Sequence, residues 1–392
     1  MNKINKDWKE VKLGDIVDIT MGQSPKSEFY NKRNEGMPFL QGSATFGFMH
    51  PYFETYSSDI KKIAINGSVL MSVRAPVGDL NIANADVCIG RGLCSINGKS
   101  NIINRYIFYL LSYYKPKLLN MQKGTTFGAI TKDDILNFKV LIAEDIEEQK
   151  RIASALSKID AYLENTIKLI EEKERFKRGI AKKLLTCKEG ENIPEARFKG
   201  FEDEWMEVAI SKIGTIITGN TPSTKNESFW NGNNVWVTPT DVKQKYISNS
   251  ERKLTDDGLK KSRKLPANTL LITCIANIGK NAILKCEGAC NQQINAIIPN
   301  KNYNVDFLYY LFENEKSYLK FKAPQSVIKI MSKSEFSKLV FKFPLLEEQE
   351  KIGEYLSLLD KEIDNLKKQK ELIKEMKIGA MQKLLSGEVR LS

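Results

Sequence analysis

Glu147-Glu148-Gln149-Lys150-Arg151-Ile152 and, further along, Glu347-Glu348-Gln349-Glu350-Lys351-Ile352 open two copies of one stretch. Behind them Leu156, Asp160, Asn165, Lys177 and Gly179 return as Leu356, Asp360, Asn365, Lys377 and Gly379. Both copies close on Lys-Leu-Leu, at 183–185 and 383–385, so the offset of 347 − 147 = 200 holds without a gap. Repetition at a fixed period decides architecture before any short motif does. In the first copy Ile152, Leu156, Ile159, Leu163, Ile167 and Ile170 recur at three- and four-residue steps; in the second, Ile352, Leu356, Leu359, Ile363 and Leu366 do the same. That is the stripe of an amphipathic helix. The first starts acidic (Glu144, Asp145, Glu147, Glu148) and ends basic (Lys177, Arg178, Lys182, Lys183), as the helix dipole favours. Each copy predicts a rod of roughly 60 Å at 1.5 Å per residue.

Outward from the rods the texture changes. Short apolar runs alternate with Gly, Asn and Pro turns, and these stretches also align with each other. Trp8-Lys9-Glu10-Val11 matches Trp205-Met206-Glu207-Val208, and Met21-Gly22-Gln23-Ser24-Pro25 matches Thr218-Gly219-Asn220-Thr221-Pro222. Runs such as Ser68–Val73 and Gly92–Ile96 predict strands, and Ile107, Leu110 and Leu111 predict the buried face of a helix over about 104–115. Thr131-x-x-Asp134 and Ser332-x-x-Glu335 predict helix capping boxes. The chain divides into a globule at 1–143, a helical segment at 144–190, a globule at 191–343 and a helical segment at 344–392. The expected fold class is α+β: two mixed α/β domains joined by two long antiparallel helices, a coiled coil with internal pseudo-twofold symmetry. Neither apolar stripe is buried by its own helix, so the rods are expected to pack on each other. The alternatives are docking of each rod on its own globule, or rods that mediate homodimers.

The 392 residues and 42% hydrophobic content suffice for more than one core. No apolar run approaches the ~18–20 residues of a membrane span, and the first residues carry no apolar signal region, so a cytoplasmic protein is expected. Six cysteines fit a reducing compartment as small core residues. Cys286 and Cys290, four apart, lack zinc-pair spacing, and the single histidine, His50, cannot complete an ordinary Cys/His metal site or a convincing catalytic triad. Phosphate-cradling and dinucleotide-binding glycine loops are absent, as is an Asn/Asp-Pro-Pro-aromatic tetrapeptide. No catalytic or metal-ligating residue is assigned. The missing chemistry points to binding.

The net charge of +12 invites a polyanion, although lysines that merely decorate solvated faces would give the same sum. Gln, Asn and Arg read base edges bidentately, while Lys, Ser and Thr hold phosphates. On that basis the candidate DNA-binding residues of the first globule are Gln23, Ser24, Lys26, Gln41, Arg74, Arg91, Lys123, Thr125 and Thr126. Those of the second are Thr221, Ser223, Lys225, Thr240, Lys243, Lys245, Gln292, Gln325 and Lys329. Each sits in a turn-rich stretch whose residues serve equally well as plain turn formers.

The chain resembles the specificity subunit of Type I restriction-modification systems over essentially its full length. The resemblance rests on the paired Glu-Glu-Gln openings and on three stretches of the second half. These are Thr218-Gly219-Asn220-Thr221-Pro222-Ser223, Trp236-Val237-Thr238-Pro239-Thr240-Asp241 and Ala289-Cys290-Asn291-Gln292-Gln293-Ile294-Asn295-Ala296. The first half departs from it, with Gly90-Arg91-Gly92 where Gln292-Gln293-Ile294 stands in the second. The resemblance implies that each globule is a target recognition domain reading one half of a bipartite double-stranded DNA target. It implies that the helices set the half-site spacing and dock modification (adenine methyltransferase) subunits, through Glu148, Gln149, Ile152, Leu156, Glu348, Gln349, Ile352 and Leu356. A restriction/motor subunit would complete the complex. No cofactor is expected in this chain, with S-adenosylmethionine, ATP and Mg on partner subunits. Two other classes fit the composition: a stand-alone DNA-modifying or DNA-cleaving enzyme with an unrecognised site, and a coiled-coil scaffold.

Overall fold

The computed structural model describes residues 8–121, 128–323 and 330–391. The repeated stretches form two uninterrupted helices, α1 (Ile146–Leu185) and α2 (Leu346–Leu385). The chain gathers into two compact units, one of Met1–Lys168 with Lys367–Ser392 and one of Leu169–Leu366. These units cut through both helices, so each contains one globule, the N-terminal half of the helix that follows it, and the C-terminal half of the other helix.

In the first unit β1 (Trp8–Lys12), β2 (Val17–Met21), β3 (Met37–Leu40), β4 (Val69–Ser72), β5 (Val87–Ile89), β6 (Leu93–Gly98) and β7 (Lys139–Ala143) form the frame. β1 pairs antiparallel with β7, β6 lies antiparallel between β2 and β4, and β3 runs parallel to β5. The second unit repeats this with β8 (Met206–Ala209), β9 (Gly214–Thr218), β10 (Trp230–Val237), β11 (Thr269–Thr273), β12 (Gly288–Cys290), β13 (Ile294–Pro299) and β14 (Val340–Phe343). β8 pairs with β14, β13 lies between β9 and β11, and β10 runs parallel to β12. The helix Asn104–Met121 buries Tyr106, Ile107, Tyr109, Leu110 and Leu111 against the first sheet, and Val305–Asn314 buries Phe307, Leu308, Leu311 and Phe312 against the second. Both capping boxes form: the Thr131 hydroxyl accepts from the Asp134 N–H at 3.2 Å, and the Ser332 hydroxyl from the Glu335 N–H at 3.2 Å.

The helix stripes do two jobs at once. Ile152 and Leu156 join the first core, which also takes Leu384 and Leu385 from the end of α2. Ile352, Leu356 and Leu359 join the second, with Leu184 and Leu185 from the end of α1. In each unit the helix halves run antiparallel, so rod-on-rod packing and docking of a rod on its own globule both occur.

Polar side chains fix the register. Glu148, fully buried, accepts from the Trp8 indole at 3.3 Å and from Arg390 at 3.2 and 2.9 Å. Glu348 accepts from the Trp205 indole at 3.3 Å and from Arg197 at 2.9 and 2.7 Å. The neighbouring glutamines tie the helix start to the globule. Gln149 donates to the Ala143 carbonyl and accepts from the Ile103 N–H, while Gln349 donates to Pro344 and Asn302 and accepts from Asn304. A second charged link follows about three turns further along each helix. Tyr109 donates to Asp160 at 2.8 Å, with the Lys377 ammonium 2.6 Å from the same carboxylate. Tyr310 likewise donates to Asp360, which pairs with Lys177.

This corrects the docking assignment. Glu148, Gln149, Ile152, Leu156, Glu348, Gln349, Ile352 and Leu356 are each only 0–1% exposed. They hold each unit's own helices to its globule and present no surface to another subunit. The second glutamate and the glutamine of each Glu-Glu-Gln repeat mark an internal clamp, while Glu147 and Glu347 stay exposed.

Two outcomes test this packing. Arg197→Ala leaves the Glu348 carboxylate buried without its cation and is expected to lower stability by ~3–5 kcal/mol in chemical denaturation. A cost under ~1 kcal/mol, the range of surface pairs, would contradict the clamp. Burial pushes the Cys94, Cys274 and Cys290 thiols up to about 12. Because the thiolate is the reactive form, a thiol reagent at pH 8 should spare these three in the native protein and label them only after unfolding. Fast native labelling would show that these cores open.

Candidate nucleic-acid interface

In both units the chain leaving the first sheet strand folds back onto the turn between two later strands. In the first unit Gly22 follows β2, and its N–H donates to Leu93 at 2.9 Å while the Gln23 N–H donates to Ile89 at 2.9 Å. This seats the Gly22–Ser24 loop on the Gly90–Gly92 turn that joins β5 to β6. In the second unit the Gly219 and Asn220 N–H groups donate to Ile294 at 3.0 Å and Cys290 at 2.9 Å. The Gly219–Thr221 loop thereby seats on the Asn291–Gln293 turn joining β12 to β13. Only glycine fits at the crossing. A β-carbon on Gly22 would come within 2.2 Å of the Gly90 carbonyl oxygen, and one on Gly219 within 2.2 Å of those of Cys290 and Asn291.

The strand pairings fix which residues correspond. Leu40 pairs with Ile89 and Val237 with Cys290, so Gln41 corresponds to Thr238 and Gly90 to Asn291. Met21 pairs with Cys94 and Thr218 with Asn295, so Ser24 corresponds to Thr221. Gly90-Arg91-Gly92 therefore stands in the place of Asn291-Gln292-Gln293, one residue earlier than the sequence alignment put it.

Four of the first unit's candidates converge on this site. The Ser24 hydroxyl donates to the Gln41 amide oxygen at 2.9 Å and accepts from the Arg91 N–H at 3.2 Å. Gln23, Gln41 and Arg91 are exposed beside it. Arg74 borders the same turn, because the preceding Val73 N–H donates to the Gly92 carbonyl at 2.9 Å. Neither Arg74 nor Arg91 forms an ion pair among the described residues. Lys26 lies further along the loop, 3.6 Å from Glu28. Its loop is anchored from below, where the Tyr30 hydroxyl donates to the Pro25 carbonyl at 2.8 Å.

In the second unit the Thr221 hydroxyl donates to the Gln292 amide oxygen at 2.5 Å. Ser223 anchors the loop through its carbonyl, which accepts from the Trp230 indole at 3.1 Å, and Lys225 is exposed beyond it. Thr240 and Lys243 are exposed on the turn after β10, where Asp241 accepts from the Thr238 N–H and hydroxyl at 2.8 and 2.6 Å. Lys245 is a correction. Its ammonium is turned inward, 2.7 Å from Asp306, donating to Ser357 at 2.7 Å and Tyr310 at 3.0 Å. Burial pushes its pKa down, against the pull of Asp306. It belongs to the seam between globule and helix and is not available to a phosphate. Lys123, Thr125, Thr126, Gln325 and Lys329 lie outside the described residues.

Three cations beside the site escaped sequence reasoning. The Lys62 carbonyl accepts from the Ile89 N–H, which puts Lys62 on the edge of the first turn. Arg263 holds the equivalent edge of the second, donating to the Thr218 carbonyl at 2.7 Å, while its own N–H donates to Asn220 at 2.7 Å. The guanidinium of Arg252 lies 3.9 Å over Trp230 and 5.3 Å from Trp236. The signal that marks Lys62 and Arg263 is their shared spacing of 27 residues ahead of Ile89 and Cys290, visible only once the strands are matched.

The arrangement offers donors and acceptors on short, doubly anchored turns, which suits hydrogen bonding to a polar edge. It offers no nucleophile beside a base. His50 donates through Nδ1 to the Ile82 carbonyl at 2.8 Å as a structural contact. Among the described residues no group of three or more His, Cys, Asp or Glu side chains is placed to hold a metal ion, and no helix is long and apolar enough to cross a membrane. Gly219→Ala should unseat the second loop at a cost of ~1–3 kcal/mol, the usual range for overpacking. Wild-type stability in a thermal melt would show that the loop yields.

The model of the Type I restriction modification DNA specificity domain matches residues 5–172 and again 202–375. The putative type I restriction enzyme MjaX specificity subunit of Methanocaldococcus jannaschii is 44% identical over 191 residues, 48% of this chain and 45% of that protein. The type I restriction enzyme MjaIX specificity subunit of the same organism is 36% identical over 180 residues, 44% of this chain and 42% of that one. The chain thus spans less than half the length of these two relatives in the matched stretches. The MjaVIII specificity subunit is 23% identical over 415 residues, 99% of this chain and 94% of that one. The fold matches the crystal structure of the Type I restriction-modification S subunit from M. genitalium with a TM-score of 0.63, at 16% identity over 98% of this chain and 97% of that one. With two matched domains covering most of its residues, the chain belongs to the Type I restriction modification DNA specificity family.

Proposed function

We propose that this chain is the DNA sequence-recognition subunit of a Type I restriction-modification complex, non-catalytic in itself. Each unit reads one half of a bipartite double-stranded target. The observation that carries this is the pair of loop-on-turn sites, alike in backbone and different in side chains. The same glycine crossing and hydroxyl position recur, while Gln41, Gly90 and Arg91 of the first unit correspond to Thr238, Asn291 and Gln292 of the second. Two equivalent platforms with different polar faces are what reading two unlike half-sites requires. The unpaired arginines and the surrounding lysines supply phosphate contacts that orient the duplex.

The two long helices, each lending one half to each unit, set the half-site spacing. Modification subunits carrying S-adenosylmethionine, and a motor subunit using ATP and Mg, supply the chemistry in the cytoplasm. With Glu148, Gln149, Glu348 and Gln349 buried in the clamps, exposed apolar side chains remain for docking: Phe176 on α1, and Leu358, Leu372 and Ile378 on α2.

Methylome sequencing of cells with and without this chain tests the proposal. A split motif that appears only with the chain is expected; an identical methylome would overturn it. Adding one heptad to both helices should lengthen the spacer while leaving the bases of both half-sites unchanged. Changed bases with an unchanged spacer would refute the helices as rulers. Affinity of the assembled complex for a target duplex should fall steeply with salt, by about 10³–10⁵ between 50 and 200 mM if six to ten phosphates are contacted. A flat salt response in a binding titration would argue against a DNA site.

A further inference from the structure

Each unit holds one glutamine by a hydroxyl, but takes that glutamine from a different place in the fold. In the first unit Ser24 clamps Gln41, which follows β3; in the second, Thr221 clamps Gln292, which sits in the turn between β12 and β13. Ser24 and Thr221 are equivalent positions, whereas Gln41 and Gln292 are not. The residues around them have exchanged to match. Gly90 is where a β-carbon would come within 2.7 Å of the Gln41 amide oxygen. In the second unit that position is Asn291, and the residue facing it is the shorter Thr238, tied down by Asp241. One clamp has thus been kept while the clamped side chain has moved.

The hydroxyl does more than hold the side chain. Ser24 accepts from the Arg91 N–H and gives its own proton to the glutamine carbonyl oxygen. That fixes which end of the Gln41 amide is oxygen and which is nitrogen. An amide oxygen has two acceptor sites, and the hydroxyl uses one. The second acceptor and both N–H donors remain, and both glutamines are exposed. A fixed donor beside a fixed acceptor matches adenine in the major groove, where N7 accepts and the N6 amino group donates.

We propose that Gln41 and Gln292 are specificity-determining residues, each reading one A·T pair in its own half-site, with Ser24 and Thr221 as the positioning residues that set the amide. This rests on the bipartite DNA-recognition reading above. It adds which side chains discriminate, and that the two units do so from non-equivalent positions through an equivalent clamp.

The test is methylome sequencing of cells carrying the complete modification complex with single variants of this chain. Gln292→Ala should relax one A·T position of one half-site, lowering discrimination there by roughly 5- to 150-fold, and leave the other half-site intact. Gln41→Ala should do the same in the opposite half. Thr221→Val keeps the glutamine but frees its amide, and should weaken preference at the same position that Gln292→Ala relaxes. Gln292→Glu, which only accepts, should shift that position away from A·T. If the variants methylate the unchanged motif, the glutamine assignment is wrong while bipartite recognition stands. If Gln292→Ala and Thr221→Val abolish all methylation although their melting temperatures match the wild type, the glutamine assignment also fails, since one base contact does not carry the whole complex. If the wild-type chain produces no motif of its own, it is the underlying DNA-recognition reading that fails.

Discussion

A carboxylate buried where three chain segments meet constrains everything else in this fold. Glu148 and Glu348 have essentially no access to water, and an ionised carboxylate in that position is tolerable only with partners supplied in full. Those partners come from far apart in sequence: an indole at the start of the globule's first strand (Trp8) or just before it (Trp205), and a guanidinium from the segment that follows the other long helix. The requirement cannot be met by a globule and its own helix alone. Each unit must recruit the far end of the other helix, and for that reason the compact units cut across both rods. Asp160 and Asp360 repeat the logic about three turns on, each joining a globule tyrosine to a lysine of the opposing helix.

That frame lets the loops seated on the turns vary. Glycine crossings at 22 and 219 place each loop against its turn through backbone hydrogen bonds, which depend little on side-chain identity. Side chains on the turns are then free to differ, within local steric limits. The Gly90–Gln41 and Asn291–Thr238 combinations show one such limit: space given up at one position is taken at the other. A surface built this way changes its polar face without disturbing the frame beneath it.

Much of this was legible in the sequence, and the errors have a common cause. The repeat, the two helices and the capping boxes are local or periodic features, carried by propensity and spacing. The sites were partly legible, since Gln23, Ser24, Gln41 and Arg91 do come together. What sequence could not supply was direction. The Glu-Glu-Gln openings are polar, and polar residues at a helix start look like surface; only the positions of Trp8, Trp205, Arg197 and Arg390 reveal that Glu148 and Glu348 face inward. Lys245 looks like its exposed neighbour Lys243, yet Asp306 and Ser357, some 61 and 112 residues away, turn it into a seam residue. The one-residue slip at Gly90-Arg91-Gly92 has the same origin, because register is set by cross-strand pairing that no single strand records.

Net charge misleads for a related reason. The sum of +12 counts every cation alike. Arg197 and Arg390 neutralise buried glutamates, Lys177 and Lys377 neutralise aspartates between helices, and Lys245 is held against Asp306. These five build the frame and project little field, since each lies within hydrogen-bond distance of its counter-charge. The cations that bear on a polyanion are fewer and better placed. Arg74 and Arg91 stand without ion pairs among the described residues, and Lys62 and Arg263 edge the equivalent turns of the two units. The charge beside the loop-on-turn sites thus comes from a handful of side chains, of which Lys62 and Arg263 hold matched positions while Arg74 and Arg91 belong to the first unit alone. The twofold repeat of the backbone is thus carried into charge at that one edge, and elsewhere the two sites differ in charge as they do in polar side chains.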